Sequence, residues 1–526
     1  MSILKKSFNF LIVLLLAIVF CFYSLSLGES ILDPGDGLKH FLIAKHSWDY
    51  PALFFDHWGK PLFTLLSSPF AQFGFKGMLF FNTLLFVVTS FFLLKIAKLF
   101  SLKNGWLAIL FCFSIPIYFG VVVSGLTEIL LATLIVAALY YFLKENYFTG
   151  CIILSFSYFS RPESLFVIMS FVLYLLVIKK YKYIPIIGLS IIIYSIAGSF
   201  THDDFFWVFT KRPYSSTGTY GSGELFHFVG SYKDTFGKYI SFSFLVGISV
   251  ISYNFIKTKL TPSNLQWNLL VVFPVFLVVG AHSILWWKGM QGSAGLLRIL
   301  ATIAPLVALV AVFALNKIES LLPIKTLSKP FSFLLLIVGS YTAYLTVQNH
   351  FVDDRMISSE KVLLEAAEWY KNEHKGVKIY YMPPYFAYQA GIDPFGKDTN
   401  MEMFKMFKDK KNPSNNVEFG ELILWDGQFS EIEGKISLTT MYNDPSLSHV
   451  KTFKPEKSFK VYGINYEVQV FKKVKNKLQQ EVNKIIERIK NNKEWFDKVK
   501  VEAENRGVSI EEMLKRSAIH VIKNRK

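Results

Sequence analysis

Residues 32–66 read LDPGDGLKHFLIAKHSWDYPALFFDHWGKPLFTLL, a stretch of acids, histidines and tryptophans set between two apolar runs. Its position makes it a loop between membrane spans, yet it holds too much Trp, Phe and Leu to float free. Such a segment is expected to lie along the membrane surface as short amphipathic helices. Read as a helix from Asp33, it has an N-cap Asp, Pro34 at the first helical position and Asp36 at the third. That places Asp36 and His40 on one face. Leu38, Phe41 and Leu42 then form an apolar stripe facing lipid or protein, and the polar face is left toward water or a ligand.

Outward from this stretch the chain is unusually apolar for its size. Of 526 residues 52% are hydrophobic and 52 are Phe, which places it outside the soluble globular class. Lys5 and Lys6 precede a run at 8–27 that is long enough to span and lacks a small-x-small cleavage site, so it reads as a span rather than a signal peptide. Further candidate spans lie near 77–95, 105–123, 128–143, 147–160, 164–178, 184–200, 239–256, 265–287, 297–316 and 331–348. The expected fold class is a polytopic α-helical membrane protein of about eleven transmembrane helices with a C-terminal α/β soluble domain and a helical tail. The expected domains are 1–350, containing the first outer loop 29–76, then 351–474, then the charged tail 475–526.

Lys and Arg fall on alternate connections. Lys5 and Lys6, then Lys95, Lys98 and Lys103, Lys144, Lys179 to Lys182, Lys257 and Lys259, and Lys317, Lys325 and Lys329 share one side. Short cytoplasmic loops carry this excess, so the N-terminus is expected in the cytoplasm of a plasma or bacterial inner membrane. Much of the formal charge of +17 is therefore topology, and nucleic acid is not an expected partner. The three cysteines, Cys21, Cys112 and Cys151, all lie in apolar runs, which gives neither a disulfide framework nor a zinc site.

Beyond 350 the pattern changes to that of a soluble α/β unit: a helix at 359–372, a strand at 377–382, a break at Pro383-Pro384, a strand at 422–425 and a hairpin at 458–472 around Gly463. From about Lys475 the chain reads as charged helix, broken at Gly507 and restarted by a capping box of Ser509 and Glu512.

The first loop gathers Asp33, Asp36, His40, His46, Asp49, Asp56, His57 and Lys60. A carboxylate at a dry, membrane-facing surface can act as a general base. The plainer alternative is that Asp33 caps a helix, Asp36 complements its dipole and the others are solvated. His and Asp at this density also fit a divalent metal, although the spacing matches no fixed ligand motif. No cofactor is called for. On the same side, Glu128 opens a span in SGLTEILLATL, Arg161 and Glu163 open another in FSRPESLF, and Arg298 begins one in QGSAGLLRILATIAP. Each is either an interface anchor or part of a shared site, and a guanidinium such as Arg298 can grip a phosphate with two parallel hydrogen bonds. The loop 200–238, with Trp207 and the run TGTYGSG, reads as a mobile cover or as disorder.

The acidic first outer loop (GDGLKHFLIA), the following H-W-G-K-P-L, the T-E at one span mouth and the R-P-E at another, in this order and on one side, resemble the GT-C membrane glycosyltransferases. The resemblance covers roughly residues 8–348 and lies nearest the branch of protein O-mannosyltransferases, aminoarabinose transferases and bacterial mannosyltransferase-like proteins. It implies a loop carboxylate that activates the acceptor and a polyprenyl-phosphate-linked sugar donor, drawn from the membrane lipid, whose phosphate meets basic residues. Carried over, Asp36 and Glu128 match the two acids, and Arg161 and Arg298 match basic positions near the donor. Many relatives have Asp-Glu where this chain has Asp36-Gly37, and His-Pro-Pro-Leu where it has His57-Trp58-Gly59-Lys60-Pro61-Leu62, which leaves Asp33 and Asp56 open as alternative bases and makes Lys60 an added phosphate contact. His40, His57 and Glu163 complete the candidate substrate-binding set. The implied reaction is an inverting sugar transfer to a lipid, glycan or protein on the non-cytoplasmic face; the rivals are a transporter and a non-catalytic envelope glycan assembly protein. The alternation of Lys-rich loops puts the C-terminal domain on that same face. A reporter fluorescent only in the cytoplasm and fused after Lys526 is expected to stay dark, and a bright fusion would mean the span count is off by one.

Overall fold

In lipid no water is available to the backbone, so the apolar runs satisfy their amides and carbonyls internally as helices. The computed structural model describes residues 3–28, 30–213, 220–258, 261–321, 328–350, 358–397, 399, 407–461, 463–474 and 477–524. The chain divides into two compact units, Met1–Ile357 and Ser358–Lys526.

Among the described residues of the first unit, six helices are long and apolar enough to cross a membrane: Ser7–Ser26, Phe75–Leu99, Tyr181–His202, Lys238–Lys257, Pro262–Trp287 and Leu297–Ser320. Shorter apolar helices, among them Glu128–Leu143, Tyr147–Ser157 and Ser164–Val177, pack with them. Together they make an integral, multi-pass membrane unit. Leu297–Ser320 is the most enclosed of the six, whereas only a minority of residues in Ser7–Ser26, Tyr181–His202 and Lys238–Lys257 are buried. The apolar run 105–123 is not one span. It folds as Leu107–Ser114 and Pro116–Val122, with Ile115 extended between them, because Pro116 has no N–H to donate and pushes the residue before it out of the helical region. Phe20 closes the gap, its ring 5.0, 4.8 and 5.1 Å from those of Phe86, Phe113 and Phe119. Polar ties hold the central helices in register: Thr89 and Thr133 hydroxyls are 2.9 Å apart, and Asn82 donates to the Leu126 carbonyl at 2.9 Å.

In the second unit, helix Ser358–Glu373 precedes strands β1 (Ile379–Tyr380), β2 (Leu422–Asp426), β3 (Leu447–Phe453), β4 (Lys460–Val461), β5 (Ile464–Asn465) and β6 (Val468–Lys473). The main sheet has the order β1-β2-β6-β3, with β1 parallel to β2 and β6 antiparallel to both neighbours. The expected strand at 377–382 is thus only two residues long, and β3 was not legible because its side chains do not alternate in hydropathy. Pro384 opens helix Pro384–Ala390 rather than breaking the chain, since a proline costs nothing at the first helical position. The hairpin turns at Gly463, which is left-handed at φ +85°, but only β4 and β5 pair across it, and β6 continues into the main sheet. Trp425 anchors the core, its indole donating to the Ile436 carbonyl at 2.8 Å. The tail forms three helices, Lys477–Asn491, Lys493–Arg506 and Ile510–Lys523, with their own apolar core around Ile485, Ile489, Val499 and Leu514. Gly507 ends the second in a left-handed turn, and Ser509 Oγ accepts the Glu512 amide at 3.1 Å, as its sequence requires; Lys475 lies outside the described residues.

Candidate active site

The first-loop helix runs Asp36–His46, so it starts at Asp36 and not at Asp33. Pro34 and Gly35 make a turn before it, and Asp33 reaches back over that turn to accept the Gly37 amide at 2.9 Å. Asp33 thus serves the helix end from further upstream than an N-cap does. Leu38, Phe41 and Leu42 are buried against protein, as the stripe predicts. His40 departs from expectation: it is 4% exposed, with its ring stacked 4.6 Å from that of Trp58, while Lys39 Nζ lies 4.2 Å from the same indole. Burial drives its pKa well below the usual imidazole range, followed by the nearby Lys60 charge, so His40 is neutral. The helix is held close to the next spans by Gly37, where a Cβ would come within 2.2 Å of the Ser124 carbonyl oxygen.

Four carboxylates from three parts of the chain converge on two guanidiniums. Arg298 Nη1 is 2.6 Å from Asp33 Oδ2, its Nη2 donates to Asp36 Oδ2, and its Nε is 3.5 Å from Glu128 Oε1. Arg161 Nη1 is 3.0 Å from the same Glu128 oxygen and donates to Thr127 Oγ1 at 2.8 Å, and its Nη2 is 2.7 Å from Glu163 Oε1. Glu128 is wholly buried between the two arginines. Burial opposes ionisation of Asp36, but the charge and hydrogen bond of Arg298 outweigh it and hold this carboxyl below its usual value. For Asp33 burial wins over Arg298, and the Asp36 charge beside it adds to the rise. Of the two, Asp36 stays ionised and Asp33 takes a proton more readily. At Glu163 burial is again outweighed by Arg161, which brings its pKa down to about 2. Asp36 sits deep among protein atoms yet keeps 40% of its side-chain surface open, against 20% for Asp33 and none for Glu128.

The other first-loop candidates separate. Asp56 Oδ1 accepts the Trp58 amide at 2.7 Å and the Gly59 amide at 3.4 Å, a turn-forming role. Asp49 is exposed. His57 Nε2 pairs with the Val208 carbonyl at 3.0 Å, and burial brings its pKa to about 4 despite that bond. Lys60 is 5% exposed in a left-handed backbone conformation at φ 63°, with Nζ donating to the Trp58 carbonyl at 3.0 Å. Burial, and then the Arg161 charge, lower its pKa to about 8. Among the described residues no group of three or more His, Cys, Asp or Glu side chains is placed to hold a metal ion; the carboxylates face arginines instead.

The start of the 200–238 loop is pinned. Trp207 is buried with its indole donating to the Tyr194 carbonyl at 2.8 Å, its ring 4.8 Å from His57 and 4.6 Å from His202, over Gly198. The first half of TGTYGSG lies outside the described residues; Gly223, at its end, accepts no side chain because a Cβ would meet the Trp286 ring at 2.0 Å.

No family model and no curated protein sequence matches this chain. Its structure is similar to that of ArnT from Cupriavidus metallidurans bound to undecaprenyl phosphate, at a TM-score of 0.58 and 10% identity over 87% of this chain and 97% of that one. This chain has the GT-C fold. The apo state of the same ArnT gives a TM-score of 0.57 at 11% identity, over 89% of this chain and 98% of that one. The oligosaccharyltransferase of Archaeoglobus fulgidus, tethered with an acceptor peptide, gives 0.48 at 11% identity over 80% and 71%.

On this GT-C scaffold the structure brings together Asp33, Asp36, Glu128, Arg161, Glu163 and Arg298, with Lys60 close enough to feel Arg161, Glu163 and Asp36. It leaves Asp56 and His57 to hold the loop. Sequence reasoning gave no role to Thr127, although it sits in the quoted T-E, nor to Trp58 in H-W-G-K-P-L. It also passed over His282, a lone histidine in an apolar run whose proximity to Glu163 only packing reveals. Gly37 generates a test. Glycine to alanine ordinarily stabilises a helix interior, but here the added Cβ meets backbone. Gly37→Ala is expected to destabilise by about 1–3 kcal/mol, as overpacking does, read as a lower thermal midpoint of the purified protein.

Proposed function

We propose that this protein is a membrane glycosyltransferase that moves a sugar from a polyprenyl-phosphate donor to a lipid, glycan or protein acceptor on the non-cytoplasmic face, with inversion and with Asp36 as general base. The observation that carries this reading is Asp36 itself: ionised by Arg298, and the one strongly open carboxylate of the cluster. The GT-C fold, and the undecaprenyl phosphate bound by ArnT, support a lipid donor. In the reaction the acceptor hydroxyl gives its proton to Asp36 while its oxygen bonds the sugar's anomeric carbon. The bond from that carbon to the phosphate oxygen breaks, and its electron pair leaves with polyprenyl phosphate. The growing phosphate charge needs cations in a water-poor site. Lys60 supplies one, and Arg298 another if it turns part of its guanidinium from Asp33 toward the phosphate. Glu128 positions both arginines, and His40 and His57 support the loop from beneath. A transporter is expected to place its ionisable groups near mid-membrane at broken helices, whereas Glu128, Glu163 and Arg298 lie at or beside helix starts. Undecaprenyl phosphate is expected to raise the thermal midpoint of the purified protein.

Asp36→Asn is expected to lower transfer of radiolabelled sugar in membranes at least about 10²-fold, the usual scale for losing a general base, with an unchanged thermal midpoint. Asp33→Asn should cost mainly about 1 kcal/mol of helix-end stability. Full turnover by Asp36→Asn would move the base to another carboxylate. A second test uses Lys60, which is protonated below its pKa of about 8 and neutral above it. Affinity for undecaprenyl phosphate should therefore fall as the pH is raised through 8, and Lys60→Met should flatten that fall; an unaltered pH profile would remove Lys60 from the phosphate site.

A further inference from the structure

Buried polar groups are almost always hydrogen-bonded, and a native structure leaves only a few without partners. Of thirteen such side-chain atoms among the described residues, six cluster around one ion pair. Among the described residues, Ser160 Oγ, Ser164 Oγ, His282 Nε2, Arg298 Nε and both oxygens of Glu128 are buried without a hydrogen-bond partner. They surround the Arg161–Glu163 pair. Ser160 and Ser164 bracket it in the chain, with the Ser164 amide donating to the Arg161 carbonyl at 3.1 Å. Glu128 lies 3.0 Å from Arg161 and 3.5 Å from Arg298. His282 comes from helix Phe273–Trp287, which packs on helix Ser164–Val177 and places the imidazole within reach of the Glu163 charge. Two aromatic edges frame that imidazole, with ring centroids at 5.9 Å for Phe166 and 6.2 Å for Phe228.

The chemistry of these six atoms is specific. Two hydroxyls can each donate and accept, a carboxylate only accepts, a guanidinium nitrogen only donates, and an imidazole nitrogen does either. A ligand meeting all of them must present alternating donors and acceptors on a compact frame, which is what the ring hydroxyls of a sugar do. A ligand carboxylate would meet the Glu128 oxygens as a like charge, and such a pair is unfavourable where water is scarce.

We infer that Ser160, Ser164 and His282, with the Glu128 carboxylate, form the recess that holds the donor's sugar ring, and that this sugar carries no acid group. The inference rests on the lipid-donor reading above and extends it to the sugar. Asp36 and Lys60 act at the bond being broken, while this recess sets which sugar is attached to it.

The test compares binding of undecaprenyl phosphate with that of undecaprenyl-phosphate-linked neutral hexose, aminopentose and uronic acid, using purified full-length protein. The wild type is expected to bind a lipid bearing a neutral or amino sugar about tenfold or more tightly than undecaprenyl phosphate alone. His282→Phe and Ser164→Ala should each remove most of that difference and leave affinity for bare undecaprenyl phosphate unchanged, which also reports intact folding. Variants that keep the full difference would show a recess holding water only and overturn the inference, as would a wild type that binds the uronic-acid lipid best or gains nothing from any sugar. Failure to bind bare undecaprenyl phosphate and every sugar-bearing lipid would instead overturn the donor reading, and the inference with it.

Discussion

The Arg298 guanidinium is the contact on which the site depends. Its three nitrogens face Asp33, Asp36 and Glu128, joining the first loop, the start of one apolar helix and the start of another across more than 260 residues of chain. Charges taken out of water at this depth are costly unless paired, and removing the shared guanidinium, which would leave its carboxylates facing one another, is the kind of loss that typically costs about 3–5 kcal/mol. The same contact has a chemical effect. It keeps one carboxylate ionised in surroundings that would otherwise protonate it, and shifts the tendency to bind a proton onto its neighbour Asp33. Two adjacent acids thereby acquire different roles from a single cation.

Glu128 extends this logic inward. It lies wholly buried between two guanidiniums, at the first turn of helix Glu128–Leu143, where a helix end favours negative charge. Arg161 then passes the alternation on to Glu163. The charges alternate, acid, arginine, acid, arginine, acid, so the position of the open carboxylate is fixed by groups that are themselves mostly buried.

Much of this could be read in the sequence, and for identifiable reasons. The apolar runs, and the lone charges of Asp36, Glu128, Arg161 and Arg298 at their ends, follow from hydropathy and charge alone, which is why fold class and most of the charged set were legible. What failed depended on local backbone chemistry or on packing. Pro116 divides a run whose hydropathy is continuous, and Pro384 starts a helix where a proline pair reads as a stop. His40 has the right periodicity for a polar face, but Trp58 covers it. The partners of Arg298 lie too far away in the chain for spacing to pair them, and a lone His282 carries no signal until its helix is packed against another.

Trp207 leads to a consequence for motion. Its ring fills a slot that exists because residue 198 is glycine, and both neighbouring imidazoles lie against it. His57 Nε2 is tied in turn to the Val208 carbonyl, and His202 Nε2 to that of Phe55. These bonds run in both directions between the first loop and the segment after His202, so neither strip of chain can swing outward alone. The unit of displacement is the pair, and moving either strip means withdrawing an entire indole in one cooperative step rather than fraying a flap residue by residue.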